Sequence, residues 1–235
     1  MDPVDEPRDD RWVAARTMAM APEPWLAPPA MLTRWALEDF RMEDAMSLTN
    51  LLVPTFAQML SALSTWLDKG AAREAASGRV ADEVLSLRLA ADMYPLSSQV
   101  RFACFQAQEP VYRLRGEPLP EALLEVRREG WSGGEQPGTL AQAQGRIAEA
   151  LQFLTAVGPN ALDEGAGLAI VLGLPNGMAF NMTGESYARD WALPQFYFHV
   201  TTAYGILRNH GTELGKADYV AHMLRYLPAG MTANG

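Results

Sequence analysis

Between residues 48 and 67 the apolar side chains Leu52, Phe56, Met59, Leu60, Leu63, Trp66 and Leu67 recur at steps of three and four. That spacing is the α-helical turn, so the segment is a helix with one apolar stripe. A stripe of that length needs other helices to bury it. The sequence supplies three. Tyr94-Pro95 restarts the chain, because proline suits a first helical position and disfavours helix in the residue before it. Leu96, Val100, Ala103, Cys104, Ala107, Val111 and Leu114 then carry a second helix to Gly116, with Glu109-Pro110 as a candidate kink. Thr139 can cap a third helix over residues 140–157, closed by Gly158-Pro159. A fourth opens at Gly184 and ends near Asn209-His210-Gly211, where Gly211 suits the left-handed cap position.

The connections read less regularly. Gly70 is taken as the stop of the first helix, and residues 81–88 as a short helix. Residues 117–138 hold prolines and four glycines and read as a long connection with one helical turn at 121–127. Two apolar runs at 168–172 and 178–180 flank Pro175-Asn176-Gly177, and Asn-Gly between such runs signals a β-hairpin. The expected fold class is therefore all-α, mainly: a four-helix bundle with a small β-hairpin between helices three and four.

Residues 1–45 differ from the rest, being proline-rich with Trp12, Trp25 and Trp35 outside any sustained period. Two readings stand: an extension that packs its tryptophans on the bundle, or a stretch outside the native protein, with the start at Met46. The second is favoured. The domain is expected over residues 46–219, with a tail at 220–235.

Composition narrows function by exclusion. A net charge of -9 argues against a partner that tracks phosphates, so no nucleic acid is expected, and against anionic lipid. No stretch approaches the roughly 20 apolar residues of a membrane span, and the acidic N-terminus is unlike a secretory signal. One cysteine, Cys104, fits a reducing cytoplasm, and its apolar helix face favours a structural thiol.

The segment from Leu193 through Phe196-Tyr197-Phe198-His199 and Tyr204-Gly205 to Arg208 strongly resembles a bacterial family of unknown function, DUF1993. Arg88-Leu89-Ala90-Ala91-Asp92-Met93-Tyr94-Pro95-Leu96, Gln99-Val100 and Gly215-Lys216-Ala217-Asp218-Tyr219 add to the match, which spans about residues 46–219. The resemblance implies a DinB-like four-helix bundle. Many bundles of that superfamily hold a divalent metal on three histidines, and some transfer low-molecular-weight thiols. His199 falls where one such ligand would lie, yet Gln195 stands four residues earlier and no histidine precedes residue 199. An amide oxygen is a poor ligand for zinc or nickel, so no metal and no cofactor are expected.

His199 is the strongest site candidate, with Gln195 and Tyr204 on its helix. Asp92 and Gln99 are its expected partners by resemblance. The bland reading makes His199 a buried, hydrogen-bonded core histidine and Phe196, Tyr197, Phe198 and Tyr204 core aromatics. Pro194 should free a carbonyl near residue 190. Gly184-Glu185-Ser186-Tyr187-Ala188 echoes a nucleophile elbow but lacks its final glycine and its sheet. The function expected is binding of a small molecule in a metal-free pocket near His199, with catalysis left undecided and disfavoured. The alternatives are a derived metal-dependent or thiol-transferase-like enzyme, and a structural or oligomerisation protein. The candidate partners are thus a small-molecule ligand and a second copy in a homodimer.

Overall fold

The computed structural model describes residues 47–174 and 177–228. Residues 1–46, and with them the expectation of an N-terminal extension, lie outside the described residues. Pro175 and Asn176 of the hairpin turn and residues 229–235 of the tail do too.

Helix α1 runs over Leu48–Ala76, α2 over Leu96–Leu114, α3 over Glu121–Ser132 and α4 over Leu140–Thr155. Strands β1 (Ala169–Gly173) and β2 (Ala179–Thr183) form an antiparallel hairpin with Ile170 opposite Met182 and Leu172 opposite Phe180. A last long helix follows in three parts: α5 (Gly184–Tyr187), a π turn (Ala188–Ala192) and α6 (Leu193–Asn209). A short α7 (Lys216–Tyr219) closes the domain. The bundle consists of α1, α2, α4 and the α5–α6 unit. All seven stripe residues of α1, Leu52 to Leu67, are at most 1% exposed, and they meet Val100, Ile147, Phe196 and Val200 in the core.

Helix ends follow their caps. Thr139 and Gln142 form a reciprocal capping box on α4, and Thr183 with Ser186 does the same on α5. Ser186 is thus engaged at a helix start and is no elbow nucleophile. The N-terminus of α1 is capped across the fold: Asp163 Oδ1 accepts from Thr49 N, Ser47 Oγ and Thr49 Oγ1, each at 2.9 Å. Those bonds, the Thr49 backbone first, hold the Asp163 carboxyl below its usual pKa.

Two expectations are corrected. Gly70 does not stop α1, which continues to Ala76. A Cβ there would lie 2.6 Å from Leu207 Cδ2 and 2.9 Å from Val84 Cγ2, so the glycine lets α6 approach α1 closely. The connection at 117–138 contains a twelve-residue helix, α3, in place of the single turn expected. Its buried set is only Leu123, Val126 and Gly130, too thin a stripe to stand out between prolines and glycines. Among the described residues no helix is long and apolar enough to cross a membrane.

Candidate functional site

Helix α2 has two informative faces. Leu96, Val100, Ala103, Cys104, Ala107, Val111 and Leu114 face the core, each at most 2% exposed. Offset from them, Gln99, Phe102, Gln106, Glu109 and Arg113 recur at steps of three and four, which puts them on one second face. Helix α3 crosses beside this face and brings Arg127 and Trp131, one turn apart. The end of β1 brings Leu172, Gly173 and Leu174, and α6 brings Phe198 and His199. The residues of this second face other than Gln99, with those from α3, β1 and α6 and with Tyr94, Phe105 and Trp191, wall a groove of about 630 Å³. That size suits a small organic molecule, since such sites run from roughly 300 to 1,000 Å³.

The π turn explains how Trp191 reaches the groove. Pro194 has no N–H to give the carbonyl of Asp190, so the helix cannot hold its regular ladder there. The chain absorbs the mismatch as a wider turn in which Leu193 N bonds back to Ala188 O. Turns of this kind re-aim one side chain and recur at functional sites.

His199 sits between Phe102 and Phe198, with ring centroids 5.0 and 5.2 Å away. Its Nδ1 lies 2.9 Å from Gln99 Oε1. The other end of that amide is committed, because Gln99 Nε2 donates to Tyr94 O at 3.3 Å. The amide oxygen therefore faces the ring, Nδ1–H is the donor, and Nε2 keeps a lone pair. Burial lowers the His199 pKa to about 4, so the ring is neutral near pH 7. It can accept a hydrogen bond through Nε2, but it is too weakly basic for efficient general-base work at that pH.

The groove also gathers polar atoms without partners. Gln106 Oε1, Arg127 Nε and Trp191 Nε1 are buried and make no hydrogen bond. Each such atom costs about 1–3 kcal/mol unless something satisfies it. Glu109, 3% exposed, is paired with Arg113 at 2.8 Å. Behind that pair, the Arg113 guanidinium stands 5.9 Å over the Tyr187 ring, and burial raises the Tyr187 hydroxyl well above its ordinary pKa.

Of the expected site residues, the structure brings together His199 and Gln99. The exposed Asp92 lies in a neighbouring groove with Arg88, Arg128 and Trp131, and not against His199. Arg88 does not pair with it, donating instead to Ala91 O and Met93 O. Gln195 is half-buried one turn before His199 and forms no part of the groove wall. Tyr204 packs on Trp66 and Tyr219, at 5.4 and 5.5 Å, and does not line the groove either. His210 ends α6 and binds Arg88 O through Nε2 at 3.0 Å. Cys104 is fully buried and its thiol is pushed up to about 12, which makes it a packing residue. The residues that sequence reasoning missed are Phe102, Phe105, Gln106, Glu109, Arg113, Arg127, Trp131 and Trp191. The signal for four of them, Phe102, Gln106, Glu109 and Arg113, is a polar and aromatic stripe on a helix read only for its apolar one.

A second groove of about 630 Å³ lies between α3 and α4. Its charges satisfy one another: Glu129 with Arg101 and Arg146, and Glu149 with Arg146. It offers a ligand little that is unmet.

The profile of a domain of unknown function, DUF1993, matches residues 48–220. Among solved structures the chain is similar to a DinB family member protein from Shewanella denitrificans, at 33% identity and a TM-score of 0.60. That match covers 79% of this chain and 95% of the other. No curated protein matches the chain.

The residues present do not fit a three-imidazole metal centre. His199 offers one nitrogen among phenyl rings, with an amide oxygen on the other. His210 is bound to the backbone at the end of α6. Among the described residues no three histidine, cysteine, aspartate or glutamate side chains gather as ligands would.

Proposed function

This chain belongs to the DUF1993 family and has a DinB-like fold, and we propose that it binds a small, flat, largely apolar molecule in the groove beside His199. One observation carries the reading: three buried polar atoms without partners, on Gln106, Arg127 and Trp191, stand on the same wall as six aromatic side chains, Trp191 among them. Unmet polar atoms beside an apolar surface are what an incoming ligand satisfies. The neutral His199 adds one acceptor. Its weak basicity supports binding over acid–base chemistry, and the donor set gives no support to the metal-dependent alternative.

A thermal-shift screen of planar aromatic compounds tests this. Phe198 and Trp131 are 58% and 48% exposed, so Phe198→Ala with Trp131→Ala should cost the fold little. Compounds that raise the melting temperature of the wild type should lose most of that effect on the double variant. Equal shifts on both proteins would overturn the reading.

A further inference from the structure

Arg127 stands apart from the arginines around it. Arg101, Arg113, Arg128 and Arg146 each pair with a glutamate. No carboxylate among the described residues lies within ion-pair distance of Arg127. Its guanidinium is instead held between two rings, 5.2 Å from the centre of Phe105 and 5.0 Å from that of Trp131. Its Nε is buried with no hydrogen bond. The carboxylates nearest it on α3 are engaged elsewhere, Glu125 with Arg128 and Glu129 with Arg101 and Arg146.

A partly buried guanidinium without an anion is costly, and this chain carries a net charge of -9, so acidic groups are not scarce. Two stacked rings fix the plane of the fork, while its donors remain unused. Along the groove Arg113 and Arg127 face the single Glu109, which leaves one positive charge in an acidic protein. The Trp191 indole N–H adds a neutral donor to the same groove.

Resting on the binding reading above, we infer that the ligand is a planar aromatic monocarboxylate, with its carboxylate on Arg127 and its ring system against the aromatic wall. One unpaired positive charge matches one carboxylate. The acceptors in the same groove, His199 Nε2 and Gln106 Oε1, can receive a hydroxyl or N–H of the ligand.

Calorimetric titration with 2-naphthoate and its uncharged isostere 2-naphthamide, at neutral pH and low salt, tests the class. A charged hydrogen bond contributes about 1.5–3 kcal/mol, so the wild type should prefer the carboxylate by about tenfold or more. In Arg127→Gln the two affinities should fall within about twofold of each other, and Arg127→Lys should keep part of the preference. The ratio within each protein is the readout, so a general loosening of the fold does not mimic the result. Equal binding of both probes by the wild type would overturn the carboxylate assignment and leave the groove reading standing. Binding of neither at millimolar concentration would overturn both.

Discussion

An imidazole held between Phe102 and Phe198 loses most of its contact with water, and its affinity for a proton falls with it. The His199 pKa of about 4 lies below the ordinary 6.5, so between those values the unfolded chain binds more protons than the folded one. The stability from this residue is therefore complete above pH 6.5 and is lost as pH falls toward 4, a change on the order of 3 kcal/mol. His199→Gln can still donate to Gln99 but cannot titrate. Urea unfolding from pH 7 to 4.5 should show a loss smaller by about 2 kcal/mol in the variant than in the wild type. Identical losses would mean that the ring is solvated. At this scale the sequence names His199 directly and Gln99 through a family resemblance. The tautomer is out of its reach, because it depends on the bond between Gln99 Nε2 and Tyr94 O, which closes only once the loop before α2 is folded.

At the scale of elements, the long stripes are legible because each repeats over several turns and drives its own burial. The second face of α2 is not, since glutamine, glutamate and arginine on a helix normally mean solvent. Only the placement of α3 across it makes those residues a wall. The π turn is half legible: Pro194 implies a disrupted ladder, but not that Trp191 is the side chain re-aimed. Two glycines show how tightly the hairpin meets the bundle. A Cβ on Gly184 would stand 1.8 Å from Gly165 O, and one on Gly165 would stand 2.0 Å from Leu114 O. These are backbone atoms that cannot rotate away. Gly184→Ala should cost at least about 3 kcal/mol in urea unfolding, the upper end for an overpacked core. A Cβ on Gly145 in α4 would meet nothing within 4 Å, so Gly145→Ala should stabilise by about 0.5–1 kcal/mol. Similar effects for the two would contradict the close approach at Gly184.

For the whole molecule, a conventional core stands beside an unfinished wall. In the bundle α1 closes on Asp163, the capping boxes hold α4 and α5, and the charges between α3 and α4 pair off, while Ser98 Oγ, Tyr187 OH and His222 Nδ1 are buried without partners away from the groove. The wall by His199 gathers three such atoms in one groove, on Gln106, Arg127 and Trp191. That a ligand meets them there is the central claim, and nitrogen–proton correlation spectra of the labelled protein titrated with 2-naphthoate test it most directly. The largest shifts should fall on the Trp191 indole N–H, identified with Trp191→Phe, and on the amides of Phe102 to Arg113, Arg127 to Trp131 and Phe198 to His199. An unmoved Trp191 indole, or shifts concentrated between α3 and α4, would contradict it.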